Sequence, residues 1–225
     1  MTHLKKPKTL TFSECTLAKL DKLFELDEVF DSSMLDDWLN QHVMVTEFET
    51  QTITHLQHQL NLNVKHWNEA ELLQNFIAPL FALVDFSSDK RFSLFAERRL
   101  SGVVDGITLS GDPDGMIASG FREPEQPYFS FQEHKRHRDP QGDPAGQALA
   151  AMLVGQAKNE QRHPIYGCHV IGANWYFMIL HKKQYAISSA YVATKAEVVA
   201  ILRALKAIKS IIVDLIEANL AMGIN

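Results

Sequence analysis

Asp114, Glu133 and Lys135 are the residues of this chain whose types and spacing could do chemistry together. Asp114-Gly115-Met116-Ile117-Ala118 and Tyr128-Phe129-Ser130-Phe131-Gln132-Glu133 both read as strands, separated by the turn-rich Arg122-Glu123-Pro124-Glu125-Gln126-Pro127. In an antiparallel hairpin the facing positions sum to a constant. A turn centred near Glu123 and Pro124 therefore predicts Asp114 opposite or beside Glu133. Strand side chains alternate, so Glu133 and Lys135 share a face. Two carboxylates side by side repel unless neutralised, and the hard divalent ions suited to that are Mg²⁺ and Mn²⁺. An ammonium at Lys135 would then stabilise charge developing on a phosphoryl group or position a water whose pKa the metal lowers.

The elements that must position these groups are legible around them. Downstream, Asp143-Pro144-Ala145-Gly146-Gln147 opens a helix, with Asp143 as N-cap and Pro144 at the first helical position. Upstream, Asn68 with Glu71 three residues on reads as a helix N-cap, which leaves Glu69 free to point at a site. Ile165 to Ile171 and Trp175 to Leu180 are β-rich runs joined by Gly172-Ala173-Asn174. Thr194 and Glu197 form a capping-box pattern ahead of an apolar stripe of Val198, Ile201, Leu202, Leu205, Ile208, Ile212, Leu215 and Ile216.

The Asp114, Glu133-x-Lys135 pattern resembles the PD-(D/E)xK nuclease superfamily, with its restriction-endonuclease-like fold, across residues 68 to 190. Asn68 to Leu80 and Gln147 are similar to the first helix and the helix glutamine of the type I restriction enzyme R-subunit N-terminal domain. The resemblance implies an α/β (α+β) chain with an αβββαβ core, a central mixed sheet flanked by helices. It implies Mg²⁺ or Mn²⁺ held by Asp114 and Glu133, and Lys135, Gln147 and Glu69 as further site residues. It also implies cleavage of nucleic acid, DNA rather than RNA. Lys135-Arg136-His137-Arg138, directly after the Glu133 strand, is the candidate basic groove for a phosphate backbone.

Residues 1–63 differ in character and are read as a helical N-terminal cap on a 64–225 core. Leu17, Leu20, Leu23, Phe24 and Phe30 recur near helical spacing. Met34, Leu35, Trp38 and Leu39 form a second apolar face, and Ile53, Leu56 and Leu60 a third. The cap or the C-terminal helix would serve a homodimer if one forms. His55 and His58 sit three apart with no carboxylate motif, and are read as surface residues.

The remaining composition bounds the class. At 225 residues, with 46% hydrophobic and 22% charged residues, the chain can bury one good core. No apolar run suits a membrane span or a secretory leader, so a cytoplasmic location is expected. Cys15 and Cys168 lie far apart and neither belongs to a Cys-x-x-Cys pair, which disfavours a disulfide framework and a zinc site. A net charge of −5 argues against a uniformly basic nucleic-acid surface but not against a local groove. Gly-rich phosphate loops, a Gly-x-Ser-x-Gly elbow and His-Glu-x-x-His are absent. The alternative to a nuclease is a catalytically silent module of the same fold that binds nucleic acid or a protein partner.

Overall fold

The structure, a computed structural model, describes residues 9–88, 91–135 and 142–221. It is a mixed α/β chain built around one large mixed sheet with helices on both faces. The N-terminal segment contains β1 (Thr9–Thr11), a 3₁₀ turn (Phe12–Glu14), α1 (Leu17–Phe24), β2 (Asp27–Glu28), α2 (Ser33–Leu39) and α3 (Glu47–Asn63). Next come α4 (Glu69–Leu72), a π turn (Leu73–Ile77) and α5 (Ala78–Val84), then β3 (Ser87–Ser88), β4 (Phe92–Ala96), β5 (Leu100–Val104), β6 (Ile107–Gly111), β7 (Gly115–Ser119) and β8 (Glu125–Lys135). The last third holds α6 (Pro144–Lys158), β9 (Ile165–Ile171), β10 (Asn174–His181), β11 (Gln184–Ile187), β12 (Tyr191–Val192) and α7 (Val198–Ala221).

Among the described residues the large sheet runs β2-β11-β10-β9-β8-β7-β4-β3, with β12 on β10. Strands β4, β7 and β8 are antiparallel neighbours, whereas β8 and β9 run parallel, joined by the crossover helix α6. A parallel pair needs such a crossover because a tight turn can only reverse the chain. A smaller sheet, β1-β6-β5, packs beside α6.

Alternation along the strands divides the core in two. Ile117, Phe129, Cys168, Val170 and Phe177 face α7, α5, α3 and α2. Met116, Phe131, Ile165, Met178 and Leu180 face α6 and α1. Glu133 and Lys135 follow Phe131 at two-residue steps and so stand on the α6 side.

Several local expectations are corrected. The segment before residue 64 supplies strands as well as helices: β1 pairs with β6, and β2 with β11. Phe30 does not continue the apolar face of α1, because Glu25 turns left-handed (φ 52) and ends that helix; Phe30 is 86% exposed. Thr194 does not cap α7, which starts at Val198, and the Glu197 carboxylate instead accepts the backbone N–H of Val192. The apolar stripe of α7 is covered by this chain: Ile201, Leu202, Leu205, Ile208 and Ile212 are buried. Pro79 has no N–H to continue an ordinary helical ladder, and the chain widens into the π turn just before it.

Trp38 ties the N-terminal helices to the sheet. Its Nε1–H donates to the Ala204 carbonyl at 2.9 Å, and its ring meets Tyr166 and Phe177 edge-on. Leu35, Ile53, Leu56 and Leu60 belong to the same cluster as α7 and β9. The partly buried ion pair of Glu49 with Lys206 makes a second link, at 2.6 Å.

Candidate functional site

The site starts from register. Gly115 faces Gln132, Met116 faces Phe131 and Ile117 faces Ser130, and one further step sets Asp114 across from Glu133. Bulges near Ala118 and Ser119 absorb the slack of the 120–124 loop without disturbing that end. The Asp114 carboxylate accepts the His134 backbone N–H through Oδ2 at 2.6 Å, which anchors it beside the Glu133 position.

Lys135 completes the group. Its Nζ lies 2.9 Å from Glu133 Oε1 and 3.4 Å from Glu69 Oε1. Glu69 reaches it from the first turn of α4, where Asn68 and Glu71 cap each other's backbone N–H groups and leave Glu69 available. Asp114, Glu133, Lys135 and Glu69 are thus gathered at one end of the sheet. Gln147 is not joined to them by a hydrogen bond. It lies half-buried in the first turn of α6, its backbone N–H bound to Asp143 and its side chain without a hydrogen bond among the described residues. Arg136, His137 and Arg138 of the candidate basic groove lie outside the described residues.

Burial sets the electrostatics. Glu133 is 6% exposed; desolvation, reinforced by Asp114, pushes its carboxyl up to about 7 against the pull of Lys135. Desolvation also raises Asp114, opposed by the His134 N–H and by Lys135. For Lys135 burial works against the charge, but Glu133, Asp114 and Glu69 outweigh it and hold the ammonium above the usual lysine range. Two oxygen donors that are costly to ionise together form a place where a hard cation lowers the free energy, so the residues present fit Mg²⁺ or Mn²⁺. Among the described residues no group of three or more His, Cys, Asp or Glu side chains is placed to hold an ion, so the metal reading rests on Asp114 and Glu133.

Sequence reasoning missed two histidines beside this group. His134 is buried with neither ring nitrogen hydrogen-bonded, its Nδ1 3.7 Å from Asp114 Oδ2; burial, then Lys135, lowers it to about 3. His169, on β9, pairs in register with Glu133. Its signal was a lone polar residue inside the apolar run from Ile165 to Ile171.

The other titratable residues singled out in the sequence do not assemble. Cys15 and Cys168 are buried free thiols, and burial raises both, to about 11 and about 12. His55 and His58 are exposed on α3.

No protein-family model matches the chain, and no curated protein matches it. No helix among the described residues is long and apolar enough to cross a membrane.

Proposed function

We propose that the chain is a metal-dependent nuclease that hydrolyses phosphodiester bonds of nucleic acid, DNA before RNA. The observation that carries the reading is Asp114 across from Glu133 on adjacent strands, with Lys135 on the Glu133 face and ion-paired to it. The order α5, β4, β7, β8, α6, β9, with an antiparallel triplet and a parallel last strand, supports a restriction-endonuclease-like αβββαβ core.

In this reading Asp114 and Glu133 hold Mg²⁺ or Mn²⁺, which when bound polarises the phosphoryl oxygen and acidifies a water. Lys135 supplies positive charge where the phosphorane-like charge grows, and it stays protonated because three carboxylates surround it. Glu69 orients that ammonium from the α4 side. The exclusion of solvent around Glu133 strengthens each of these interactions.

The test is cleavage of linear, nicked and single-stranded DNA and of RNA with Mg²⁺, with Mn²⁺ and with EDTA. Cleavage that requires the ion and is lost in Glu133→Gln is expected. Binding of nucleic acid without any metal-dependent cleavage would overturn the reading in favour of a silent module.

A further inference from the structure

A pocket lies at the end of the sheet away from the candidate site, where the start of β8, the loop after α6 and the last turns of α7 meet. It holds about 440 Å³, within the roughly 300 to 1,000 Å³ usual for small-ligand sites. Pro127 lines it and Lys135 ends the same strand, so at about 3.3 Å per residue the two places are roughly 25 Å apart. The floor is already satisfied. His163 Nδ1–H donates to the Pro164 carbonyl at 2.8 Å, which leaves Nε2 to accept from the Asn159 amide at 3.2 Å. Asn159 also accepts the Tyr128 N–H at 2.9 Å and donates to the Tyr128 carbonyl at 2.6 Å. Both side chains are buried, and burial lowers the imidazole, so the ring is neutral. The unused polar groups stand on the walls: the side chains of Arg91, Ser119, Gln126 and Lys158 have no hydrogen bond or ion pair among the described residues. Arg162 is paired with Glu160 at 2.6 Å.

Charge and shape select the occupant. Arg91, Lys158 and Arg162 against Glu160, three cations less one carboxylate, leave two positive charges on the lining. A phosphate monoester carries about −1.5 to −2 near pH 7, whereas a backbone phosphodiester carries one negative charge. Lys158 alone would be accounted for by the C-terminal end of α6 on which it stands. Arg91 comes from the turn before β4 and Arg162 from the loop after α6, so their convergence is not a helix-end effect. Pro127, Ile216 and Leu220 give the pocket an apolar side, and Ser119 and Gln126 a hydrogen-bonding one, which suits a base on a sugar better than a plain acyl chain. We propose that this pocket binds a phosphate monoester carrying a sugar and a base, the chemistry shared by a free nucleoside monophosphate and the 5′-phosphorylated end of a nucleic-acid strand. The guanidiniums and the ammonium hold the phosphate, and the base lies against the apolar side. The site is separate from Asp114 and Glu133 and does not depend on the nuclease reading.

Calorimetric titrations in EDTA, which keeps any metal-dependent cleavage off, test this. Adenosine 5′-monophosphate should bind at least about tenfold more tightly than adenosine or inorganic phosphate, each of which supplies only part of the contacts. Arg91→Gln and Lys158→Gln should each weaken it about tenfold or more, the scale of losing one charge-assisted contact to phosphate. Neither residue belongs to the core clusters, and Arg91→Lys, which keeps the charge, should retain most of the affinity. Glu133→Gln should leave it unchanged; a loss there would put the ligand in the candidate metal site and overturn the proposal. A short oligonucleotide with a 5′-phosphate, compared with its 5′-hydroxyl counterpart, separates the two sources. A preference for the phosphorylated strand that disappears in Lys158→Gln assigns the pocket to strand ends, and equal binding of the two strands assigns it to the free nucleotide. Affinity for adenosine 5′-monophosphate that is no better than for inorganic phosphate, or untouched by Arg91→Gln and Lys158→Gln, overturns the proposal.

Discussion

The Asp114 carboxylate closes the β7–β8 ladder one step past its last paired residues by accepting the His134 backbone N–H at 2.6 Å. A side chain here does the work of a backbone carbonyl. It therefore holds its own charge beside Glu133 in a place where burial makes that charge expensive.

Asp114→Asn should separate these two roles. The asparagine carbonyl can still accept the His134 N–H, so the metal-free fold should survive, and its melting temperature should stay level or rise as repulsion with Glu133 is relieved. Calorimetric binding of Mn²⁺ should weaken, and the rise in melting temperature on adding metal should shrink. Unchanged Mn²⁺ affinity in this variant would move the ion elsewhere.

Lys135→Ala should leave metal affinity nearly intact, since the ammonium is not a ligand, yet slow cleavage by roughly 10²-fold or more. Lys135→Arg should rescue poorly, because a planar guanidinium does not reproduce a compact ammonium between Glu133 and Glu69. Single-turnover rates at saturating Mg²⁺ decide it, and undiminished cleavage in Lys135→Ala would assign the cutting to another site or a contaminant.

Stability of the metal-free protein should depend on pH through Glu133. Its folded value is raised from 4.5 to about 7, so between those values the folded state binds more protons than the unfolded one. The sign follows: this contribution favours folding at low pH and is lost as pH rises through about 7. Relative to wild type, Glu133→Gln should gain on the order of 1 to 3 kcal/mol between pH 5 and pH 8 in EDTA, at 1.36 kcal/mol per pKa unit. Urea unfolding of both proteins at the two pH values measures the difference. A constant gap between the curves would show that Glu133 ionises freely.

Trp38→Ala should destabilise the whole chain and not merely loosen its N-terminal helices, by about 3 to 5 kcal/mol. The substitution empties a site packed against Tyr166 and Phe177 and leaves the Ala204 carbonyl without its indole donor. A single cooperative transition, shifted to lower denaturant, is expected when tryptophan fluorescence and far-ultraviolet dichroism are compared. Separate transitions for the two probes would mean the N-terminal helices unfold independently.

The sequence by itself pointed to Asp114 beside Glu133, through two strands, a turn between them and two-residue alternation, but Ser119 pairs with Glu125 around Arg122, and it is the bulges between Ile117 and Ser119 that restore the register setting Asp114 across from Glu133. It also determined the Asp143 and Asn68 caps, whose partners lie three residues away. Tertiary structure alone decided that Glu69 meets Lys135, that β1 joins β6 and β2 joins β11, and that His169 stands beside Glu133. These pairs are remote along the chain, and periodicity carries no information about which distant strand a segment will join. Their choice comes from burying both faces of one sheet at once, with α6 covering one side and α7 the other. The same burial moved Glu133 from an ordinary carboxylate to one poised near neutral pH, a property set first by the solvent excluded around it, with Asp114 reinforcing the shift and Lys135 opposing it.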